Sequence, residues 1–337
     1  MQISVVIPTF NRPDRLVNVL MHIFASDCSG FEDIEVVVVD DGSSNSPKSV
    51  VDSFNPKTPF SLKYIYQDNS GPAKARNNGY RCSSNEIVLF IDDDILVPPT
   101  LLRKHILSHQ NFPKSVIVGP CVCFIPKEAN LASLYVKSLE EADLAAIPAS
   151  GVMRITTVIS GNLSIERSQF LSTNGLYNDS LRSPTAEEFD VIARLIDERI
   201  PTYLIRDLEA IHLQPTDLAD TCIREYKHAI GIGELFVKDP MIANRLEGMR
   251  NFFEVNGNIE RRDSIVIKVK KSVKRLLSPK LFRAVICQAV SVFSYLVPVS
   301  VIVYPLFRFV IGLYIYAGVQ DGRSRFSSEA TSHLTLN

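Results

Sequence analysis

The sequence has no tryptophan, little cysteine and almost no net charge. Its six cysteines lack CxxC spacing and are too sparse among 337 residues for a disulfide-stapled scaffold, so we expect a reducing compartment. The formal net charge of −1 gives no nucleic-acid footprint for the whole molecule, and we predict no nucleic-acid partner. No internal repeat is evident either, which excludes a solenoid.

What the sequence does contain is enough apolar residues for one large domain and an appendage. Hydrophobic residues make up 46% of the chain. The N-terminal MQISVVIPTF lacks a basic lead and a long apolar segment, so we expect no secretory leader. Cys121 and Cys123 alternate within VIVGPCVCFIP, which favours packing on one face of a strand over metal ligation.

Apolar runs alternate with helical patterns along the N-terminal part of the chain. Strands are predicted at residues 3–7, 34–39, 62–66 and 87–91. Helices are predicted from Pro13, over residues 73–81 and after Pro98-Pro99. The run 34–39 is continuously apolar or β-branched after its acidic start, as in central parallel strands that are covered on both faces. The alternation predicts an α/β fold with a mostly parallel central sheet.

Carboxylates follow two of these predicted strands. Asp40 and Asp41 end the second strand, and Asp92, Asp93 and Asp94 directly follow the fourth. Because ligands bind outside the carboxyl ends of strands in open α/β sheets, both clusters are expected on one rim. Such carboxylates need a cation or a hydrogen-bonded ligand, and oxygen ligands favour Mg²⁺ or Mn²⁺ with phosphate co-ligands. Either motif alone is equally compatible with an ordinary polar turn.

The ordered set of motifs resembles the catalytic domain of an inverting family 2 glycosyltransferase with the GT-A fold. The resemblance runs from Ile3 to about Gln214, and its motifs are SVVIPTFNR, VVVDDGSSN, GPAKARNNG and LFIDDDILVPP. It implies a GT-A-like nucleotide-binding sandwich with a central, mostly parallel sheet, followed by C-terminal helices. It also implies a nucleotide-sugar donor and Mg²⁺ or Mn²⁺ as cofactor.

The resemblance implies roles on the donor side. The turn at Asp40 and Asp41 would hold the base and ribose, and the helix that starts at Gly71 would face the diphosphate. A solvated helix charge is the alternative for Arg76. The donor-binding candidates are Pro8, Thr9, Arg12, Asp40, Asp41, Gly71, Lys74, Arg76 and Asp93.

The resemblance places a metal motif at the three consecutive aspartates, with its register open. Asp92 with Asp94 fits the Asp-x-Asp spacing of the family, whereas alignment on the following Ile-Leu-Val-Pro makes Asp93 the principal ligand. His212 resembles a late histidine that joins the metal in such folds, although a lone histidine is more often structural. The metal candidates are therefore Asp92, Asp94 and His212.

The catalytic base is expected in a second acidic segment. Residues 187–190, Glu-Glu-Phe-Asp, resemble the Glu-Asp-x-Asp motif of the family, with Glu188 at the position of the usual Asp. Glu188 is the candidate base for an acceptor hydroxyl, and the longer side chain leaves Glu187 as an alternative. Asp190 completes the catalytic set. Taken alone, the segment is an ordinary amphipathic helix start.

One motif of processive polysaccharide synthases in the same superfamily is missing. Those enzymes carry Gln-x-x-Arg-Trp after the base, whereas Gln214 is followed by Pro-Thr-Asp and the chain has no Trp. We therefore expect transfer of a single sugar in each encounter.

The C-terminal third changes character. Residues 284–307 carry no charge over 24 positions, which at about 1.5 Å per residue suffices for a hydrocarbon core of roughly 30 Å. Pro298 leaves two arrangements open, a single span or a hairpin that turns near it. Residues 261–283 hold nine Lys or Arg against one Asp, which is typical of a cytoplasmic flank and partly of an amphipathic surface helix. A soluble helical pair or a dimer contact is the alternative.

These observations predict four regions and one activity. The regions are a catalytic domain (1–220), a helical basic linker (221–283), a hydrophobic membrane segment (284–319) and a polar tail (320–337). The expected activity is transfer from a UDP-sugar to a lipid-linked or membrane-proximal glycan in cell-envelope polysaccharide synthesis, at the cytoplasmic face, with homo-oligomers allowed. The alternatives are an inactive sugar-nucleotide-binding subunit and a nucleotidyltransferase. The second would need a Gly-rich loop after the first strand, where the sequence is IPTFN.

Overall fold

A mixed sheet of eight strands organises the N-terminal part of the protein in the computed structural model, which describes residues 1–54, 57–124, 129–155, 160–169, 175–213, 217–261 and 263–334. Its strands are β1 (Gln2–Thr9), β2 (Asp33–Asp40), β3 (Phe60–Tyr66), β4 (Ile87–Ile91), β6 (Val116–Val118), β8 (Val152–Arg154), β9 (Asn162–Glu166) and β10 (Thr202–Ile205), in the order β3-β2-β1-β4-β9-β6-β10-β8. A second sheet joins β5 (Ile95–Leu96), β11 (Ala210–His212) and β7 (Cys121–Cys123) in that order. Gln214, which stands where the Gln-x-x-Arg-Trp motif would begin, lies outside the described residues.

The helices precede, separate and follow these strands. They are α1 (Pro13–Phe24), α2 (Lys48–Ser53), α3 (Pro72–Cys82), α4 (Leu101–Asn111), α5 (Leu131–Ala145), α6 (Ala186–Asp197), α7 (Leu218–Lys238), α8 (Ile242–Arg245), α9 (Glu247–Asn256), α10 (Ile265–Leu277), α11 (Lys280–Leu296) and α12 (Ser300–Leu334). The predicted strands and the three predicted N-terminal helices are all present. The chain divides into a sheet unit (Met1–Phe124, Glu140–Arg182 and Glu187–Gln214) and a helical unit (Ile125–Leu139, Ser183–Ala186 and Pro215–Asn337).

Parallel pairing brings the polar strand ends to one edge of the large sheet. Strand β1 pairs in parallel with β2 and β4, and β2 pairs in parallel with β3. In this register Thr9, the last residue of β1, lies opposite Asp40, the last residue of β2. Strand β9 runs antiparallel to both β4 and β6, and β8 runs antiparallel to β10. The α/β architecture with a mostly parallel sheet is therefore confirmed.

The core of the sheet unit lies on both faces of β1, β2 and β4. Helix α1 buries Leu16, Val19, Leu20 and Ile23 against one face, because these residues recur at helical spacing. On the other face α3 approaches β1 and β2 at Gly79. A side chain at this glycine would overlap Cγ1 of Val6, so α3 packs here with its backbone close to the sheet.

Two close helix contacts hold the helical unit together. In α12, a Cβ added at Gly318 or Gly322 would overlap the backbone carbonyl oxygens of Tyr226 or Ile230 in α7. In α7, a Cβ at Gly233 would lie 2.6 Å from the carbonyl oxygen of Val319. Helices α7 and α12 therefore pack backbone against backbone, which only small residues permit.

The long uncharged run is two helices rather than one. Helix α11 ends at Leu296 and α12 begins at Ser300, so the break falls around Pro298. Arg283 of α11 and Tyr314 of α12 lie almost equally far from Pro298 along the chain. The guanidinium of Arg283 is nevertheless only 5.1 Å from the ring centroid of Tyr314. The helices thus fold back on each other, as in the predicted hairpin. By length and composition, the stretch Ser300–Ser328 of α12 is apolar enough to cross a membrane.

Replacing Gly79 by Ala is expected to lower the free energy of unfolding by about 1–3 kcal/mol, because the added methyl group overpacks the contact with buried Val6. Urea denaturation of both proteins measures the difference. The matched control is Gly312→Ala in α12, where the nearest atom lies 4.0 Å away. This control should be neutral or stabilising by up to about 1 kcal/mol, since Ala is the better helix former. Equal losses in the two variants would contradict the close packing at Gly79.

Candidate active site

The loop after β1 is tied to the aspartates that follow β4. The Oγ1 of Thr9 donates a hydrogen bond of 2.8 Å to Oδ2 of Asp93, and Nη1 of Arg12 lies 3.0 Å from its Oδ1. Burial raises the pKa of Asp93 to about 6, because it outweighs the opposing effect of Arg12. Asp93 is therefore largely enclosed and holds the first loop in place.

Asp94 lies at the meeting point of three positively charged or titratable side chains. Its Oδ2 accepts hydrogen bonds from Arg12 at 3.1 Å and Arg15 at 2.9 Å, and its Oδ1 is 3.4 Å from Nε2 of His212. Burial alone would raise the pKa of Asp94, but His212 and the two arginines outweigh it and lower that pKa. Asp94 is thus held as a carboxylate at the rim.

The turn after β2 carries two carboxylates, those of Asp40 and Asp41, and both accept hydrogen bonds from neighbouring residues. Oδ1 of Asp41 accepts hydrogen bonds from Gln67 at 2.7 Å and from the backbone of Ser70 at 2.9 Å, and its Oδ2 accepts one from the backbone of Gly71 at 2.9 Å. Burial is the largest influence on Asp41 and raises its pKa despite these bonds. Asp40 accepts a 2.6 Å hydrogen bond from the hydroxyl of Tyr64. Both carboxylates are therefore fixed in orientation.

The backbone conformation at position 71 requires glycine. Its φ of +92° lies in the region that favours glycine, and a Cβ there would lie 2.5 Å from the carbonyl oxygen of Arg182. The next residue starts α3, which places the first turn of this helix beside the Asp41 carboxylate. Lys74 lies exposed on this helix, and Pro8 is half-buried at the end of β1.

Arg76 is the most enclosed charge of the site. Its Nη2 lies 2.6 Å from Oδ1 of Asp92 and its Nη1 lies 2.9 Å from Oε1 of Glu187, and its guanidinium stacks over the ring of Tyr177. The side chain is 5% exposed. Burial alone would lower the pKa of Arg76, but Asp92 and Glu187 raise it well above its ordinary value. The alternative of a solvated helix charge is therefore wrong, and Arg76 joins α3, the β4 end and α6.

The two glutamates of α6 differ in their surroundings. Glu187 is buried against Arg76, and burial raises its pKa to about 7. Glu188 is half-buried, and its Oε1 accepts a 2.8 Å hydrogen bond from the backbone of Ser160. Burial raises the pKa of Glu188 as well, which makes its carboxylate a better proton acceptor. Asp190 lies 3.7 Å from Arg194 one turn further along α6.

The carboxylate rim suits a divalent ion that takes most of its ligands from a substrate. In the part of the chain that the structure describes, no group of three or more His, Cys, Asp or Glu side chains converges to hold an ion. Oδ1 of Asp94 and Nε2 of His212 nevertheless lie 3.4 Å apart, as two ligands of one ion do. Asp92 is the most exposed of the three aspartates. This donor set fits Mg²⁺ or Mn²⁺, which commonly bind through few protein ligands and substrate phosphates.

A comparison with known protein families gives a match for the N-terminal part of the chain. Residues 4–146 match the family model described as Glycosyl transferase family 2. The matched residues carry a family 2 glycosyltransferase domain. The expectation drawn from its strand-end motifs is thereby confirmed.

Curated relatives match the same region of the glycosyltransferase domain. The validoxylamine A glucosyltransferase of Streptomyces hygroscopicus subsp. limoneus is 35% identical over 128 residues, which cover 37% of this chain and 28% of the relative. The GalNAc(5)-diNAcBac-PP-undecaprenol beta-1,3-glucosyltransferase of Campylobacter jejuni is 35% identical over 133 residues, which cover 39% of this chain and 41% of the relative. The matches thus span less than half of either relative.

A solved structure resembles nearly the whole chain. The mannosyltransferase PcManGT from Pyrobaculum calidifontis superposes with a TM-score of 0.58 at 14% identity, covering 94% of this chain and 86% of that one. At this identity the likeness concerns the fold. It confirms the GT-A architecture with C-terminal helices.

Sequence reasoning missed a histidine network behind the glycosyltransferase site. Nδ1 of His105 and Nε2 of His109 both lie 2.8 Å from Oγ of Ser164, and Nε2 of His105 lies 2.9 Å from Oδ1 of Asn162. Asn162 follows Gly161, which packs against Asp92. The i, i+4 spacing of the two histidines in α4 was the available signal.

Sequence reasoning also missed Asn11, which connects two loops of the glycosyltransferase domain. Its Oδ1 accepts hydrogen bonds from the backbone of Ser44 at 2.8 Å and of Asn45 at 3.1 Å. Its φ of 56° is in the left-handed region, which Asn tolerates better than most residues. The loops after β1 and β2 are therefore joined.

Replacing Arg76 by Gln should lower the free energy of unfolding by about 3–5 kcal/mol, because Asp92 and Glu187 lose their buried counter-charge. Urea denaturation measures this loss. The matched control on the same helix is Arg81→Gln, which weakens a half-exposed ion pair of 3.4 Å with Asp179 and should cost less than about 1 kcal/mol. A comparable loss in both variants would show that the buried pair does not stabilise the site.

Stability is expected to fall as the pH is lowered from about 6.5 toward 4. Burial lowers the pKa of His105 to about 3 and of His109 to about 4, from 6.5, so the unfolded chain binds protons there that the folded chain does not. The loss is at most roughly 2 kcal/mol per histidine at pH 5. Urea denaturation at pH 7 and pH 5 measures it. The variant His109→Gln should show a weaker dependence, and exposed His22→Gln should not; identical profiles would refute the assignment.

Proposed function

We propose that the protein is a metal-dependent, inverting glycosyltransferase that moves one sugar from a nucleotide-diphosphate sugar to a hydroxyl of a lipid-linked or membrane-proximal glycan. The observation that carries the proposal is the single rim formed by the carboxylates after β2 and β4, joined by Arg76 to the acidic start of α6. The names of two similar proteins support it. One acts on an undecaprenol-linked glycan, and the other is in complex with GDP-Man and Mn²⁺.

On the donor side, fixed hydrogen-bond acceptors and partly exposed cations are both present. The carboxylates of Asp40 and Asp41 are oriented by their hydrogen bonds and would accept from the base and ribose of the nucleotide. Arg12 and Arg15 have side chains that are 49% and 39% exposed beside Asp94. These guanidiniums would neutralise the diphosphate as it leaves. We retain a UDP-sugar as the first donor to test.

Asp94, His212 and Asp92 would hold the metal ion. When bound, Mg²⁺ or Mn²⁺ supplies positive charge to the oxygens of the leaving diphosphate. Thr9 and Arg12 hold Asp93 beside this set, which fixes the main chain of the three aspartates.

On the acceptor side, Glu188 would act as the base. The acceptor oxygen forms a bond to the anomeric carbon while the bond from that carbon to the diphosphate oxygen breaks, and its electron pair leaves with the nucleoside diphosphate. The hydroxyl proton passes to the carboxylate of Glu188, which the backbone of Ser160 orients. A single in-line displacement inverts the anomeric centre. Glu187, enclosed by Arg76, supports the site rather than receiving this proton.

The membrane placement of this reaction is part of the proposal. The exposed basic residues of 261–283, among them Lys270, Arg275 and Lys280, would bind the anionic lipids of a cytoplasmic face. A catalytic domain on that face would meet a lipid-linked acceptor at the bilayer surface.

Transfer is tested by nucleoside diphosphate release from UDP-, GDP- and dTDP-sugars with Mn²⁺, Mg²⁺ or a chelator, with polyprenyl-linked glycan as acceptor. We expect metal-dependent release from one donor. The variant Glu188→Gln should keep donor affinity and lose about 10²–10⁴-fold in transfer rate. Glu198→Gln, an exposed change just beyond α6, is the matched control and should keep full activity.

Each outcome bears on a separate part of the proposal. Full activity of Glu188→Gln would refute its role as base, and release in the presence of chelator would refute metal dependence. Metal-dependent binding without transfer to any acceptor would favour the inactive binding subunit. Failure to bind any nucleotide would refute the proposal as a whole.

A further inference from the structure

Helix α10 turns two of its lysines, Lys271 and Lys274, toward the protein and turns an apolar arc outward. Nζ of Lys271 donates hydrogen bonds of 2.7 Å to Asp263 and to the backbone of Asn258, and Nζ of Lys274 donates one of 2.7 Å to Asn256. The opposite arc is apolar and exposed. It is formed by Ile265 (80% exposed), Val266 (63%), Val269 (56%), Val273 (39%) and Leu276 (72%). At 3.6 residues per turn, these five side chains fall within about 100° of the helix surface.

Helix α11 continues this outward apolar surface. Its buried side carries Arg283 and Cys287, which face α7 and α12. Its exposed side is formed by residues such as Leu281 (73%), Val285 (59%) and Leu296 (75%). The axes of α10 and α11 meet at 96°. We call the exposed apolar side chains of the two helices, residues 265–296, the outer apolar face.

The charge around the outer apolar face has one sign. Between Asp263 and Asp321 the sequence contains no acidic residue and eight Lys or Arg. Lys270, Arg275 and Lys280 are exposed beside the apolar side chains. Two copies packed through this face would bring like charges together, whereas an anionic bilayer surface complements it.

Helix α12, although apolar enough to span a membrane, is committed to the protein. Its Gly318 and Gly322 pack backbone against backbone on α7, and Asp321 accepts a 2.6 Å hydrogen bond from Tyr226 of that helix. Helix α7 carries charged residues along its length, among them Asp220, Arg224 and Lys227. A bilayer core would not accept these charges without a large cost, and α12 leaves α7 only by giving up the close contact.

We propose that α10 and α11 anchor the protein in the plane of an anionic bilayer surface, without a transmembrane span. The outer apolar face enters the boundary between headgroups and acyl chains, and the flanking Lys and Arg bind lipid phosphates. Helix α12 stays within the helical unit. This inference deepens the membrane part of the proposed function, but the surface acts whether or not the site transfers sugar.

The test is flotation of the full-length protein with vesicles of phosphatidylcholine alone or mixed with phosphatidylglycerol. We expect binding to the mixed vesicles, weaker binding at high salt, and release by alkaline carbonate. The test variant carries Ile265→Ser, Leu276→Ser, Leu281→Ser and Leu296→Ser and should bind at least about tenfold more weakly. The control carries Met21→Ser, Leu139→Ser, Ile223→Ser and Met241→Ser, at apolar positions that are 47–60% exposed, and should bind like the native protein.

Three results would overturn the proposal. Carbonate-resistant association that the test variant retains would indicate a span. A native dimer that the test variant dissociates in sedimentation would make the face a contact between copies. Absence of vesicle binding in a protein that still releases nucleoside diphosphate would reject the anchor and leave the proposed transfer reaction intact.

Discussion

The buried guanidinium of Arg76 connects the parts of the site that the fold brings from distant stretches of sequence. It contacts Asp92 at the end of β4 and Glu187 at the start of α6, two residues whose negative charges would otherwise repel inside a poorly solvated space. Because the guanidinium is planar and has several donors, one side chain pairs with both carboxylates at once. The orientation of α6, and with it the position of Glu188, therefore depends on a charge carried by α3.

Around this pair, the site separates charges that are enclosed from charges that face the cleft. Asp93 and Glu187 are enclosed, and burial raises the pKa of each toward neutrality. Asp94 is kept ionised by arginines and a histidine, and the half-exposed Arg12 and Arg15 remain accessible to an anion. The enclosed residues fix the loops, while the accessible ones meet the ligand. This division explains how five aspartates share one edge of a sheet.

The first four strands and their acidic ends were predictable from sequence, because β-branched runs such as 34–39 and the turn residues after them are local signals. The pairing of Arg76 with Glu187 was not predictable, since Glu187 lies 111 positions away and only the folded sheet unit brings it near. The histidines of α4 share an i, i+4 spacing, but their contact with Ser164 of β9 forms only in the folded sheet unit. In the C-terminal part, the uncharged run indicated a span. The i, i+4 spacing of Gly318 and Gly322 is a local signal for close helix packing, but only the folded helical unit shows that α7 is the partner.

The outward orientation of the apolar arc of α10 affects the solubility of the protein in the absence of lipid. In water its apolar arc is solvated at a free-energy cost, while Lys271 and Lys274 already form hydrogen bonds with the chain. The polypeptide therefore has no alternative rotation of this helix that hides the apolar arc without breaking those bonds. The same few apolar side chains therefore govern both the solubility of the protein and its localisation. In dilute aqueous buffer, the folded protein still exposes this apolar arc to water.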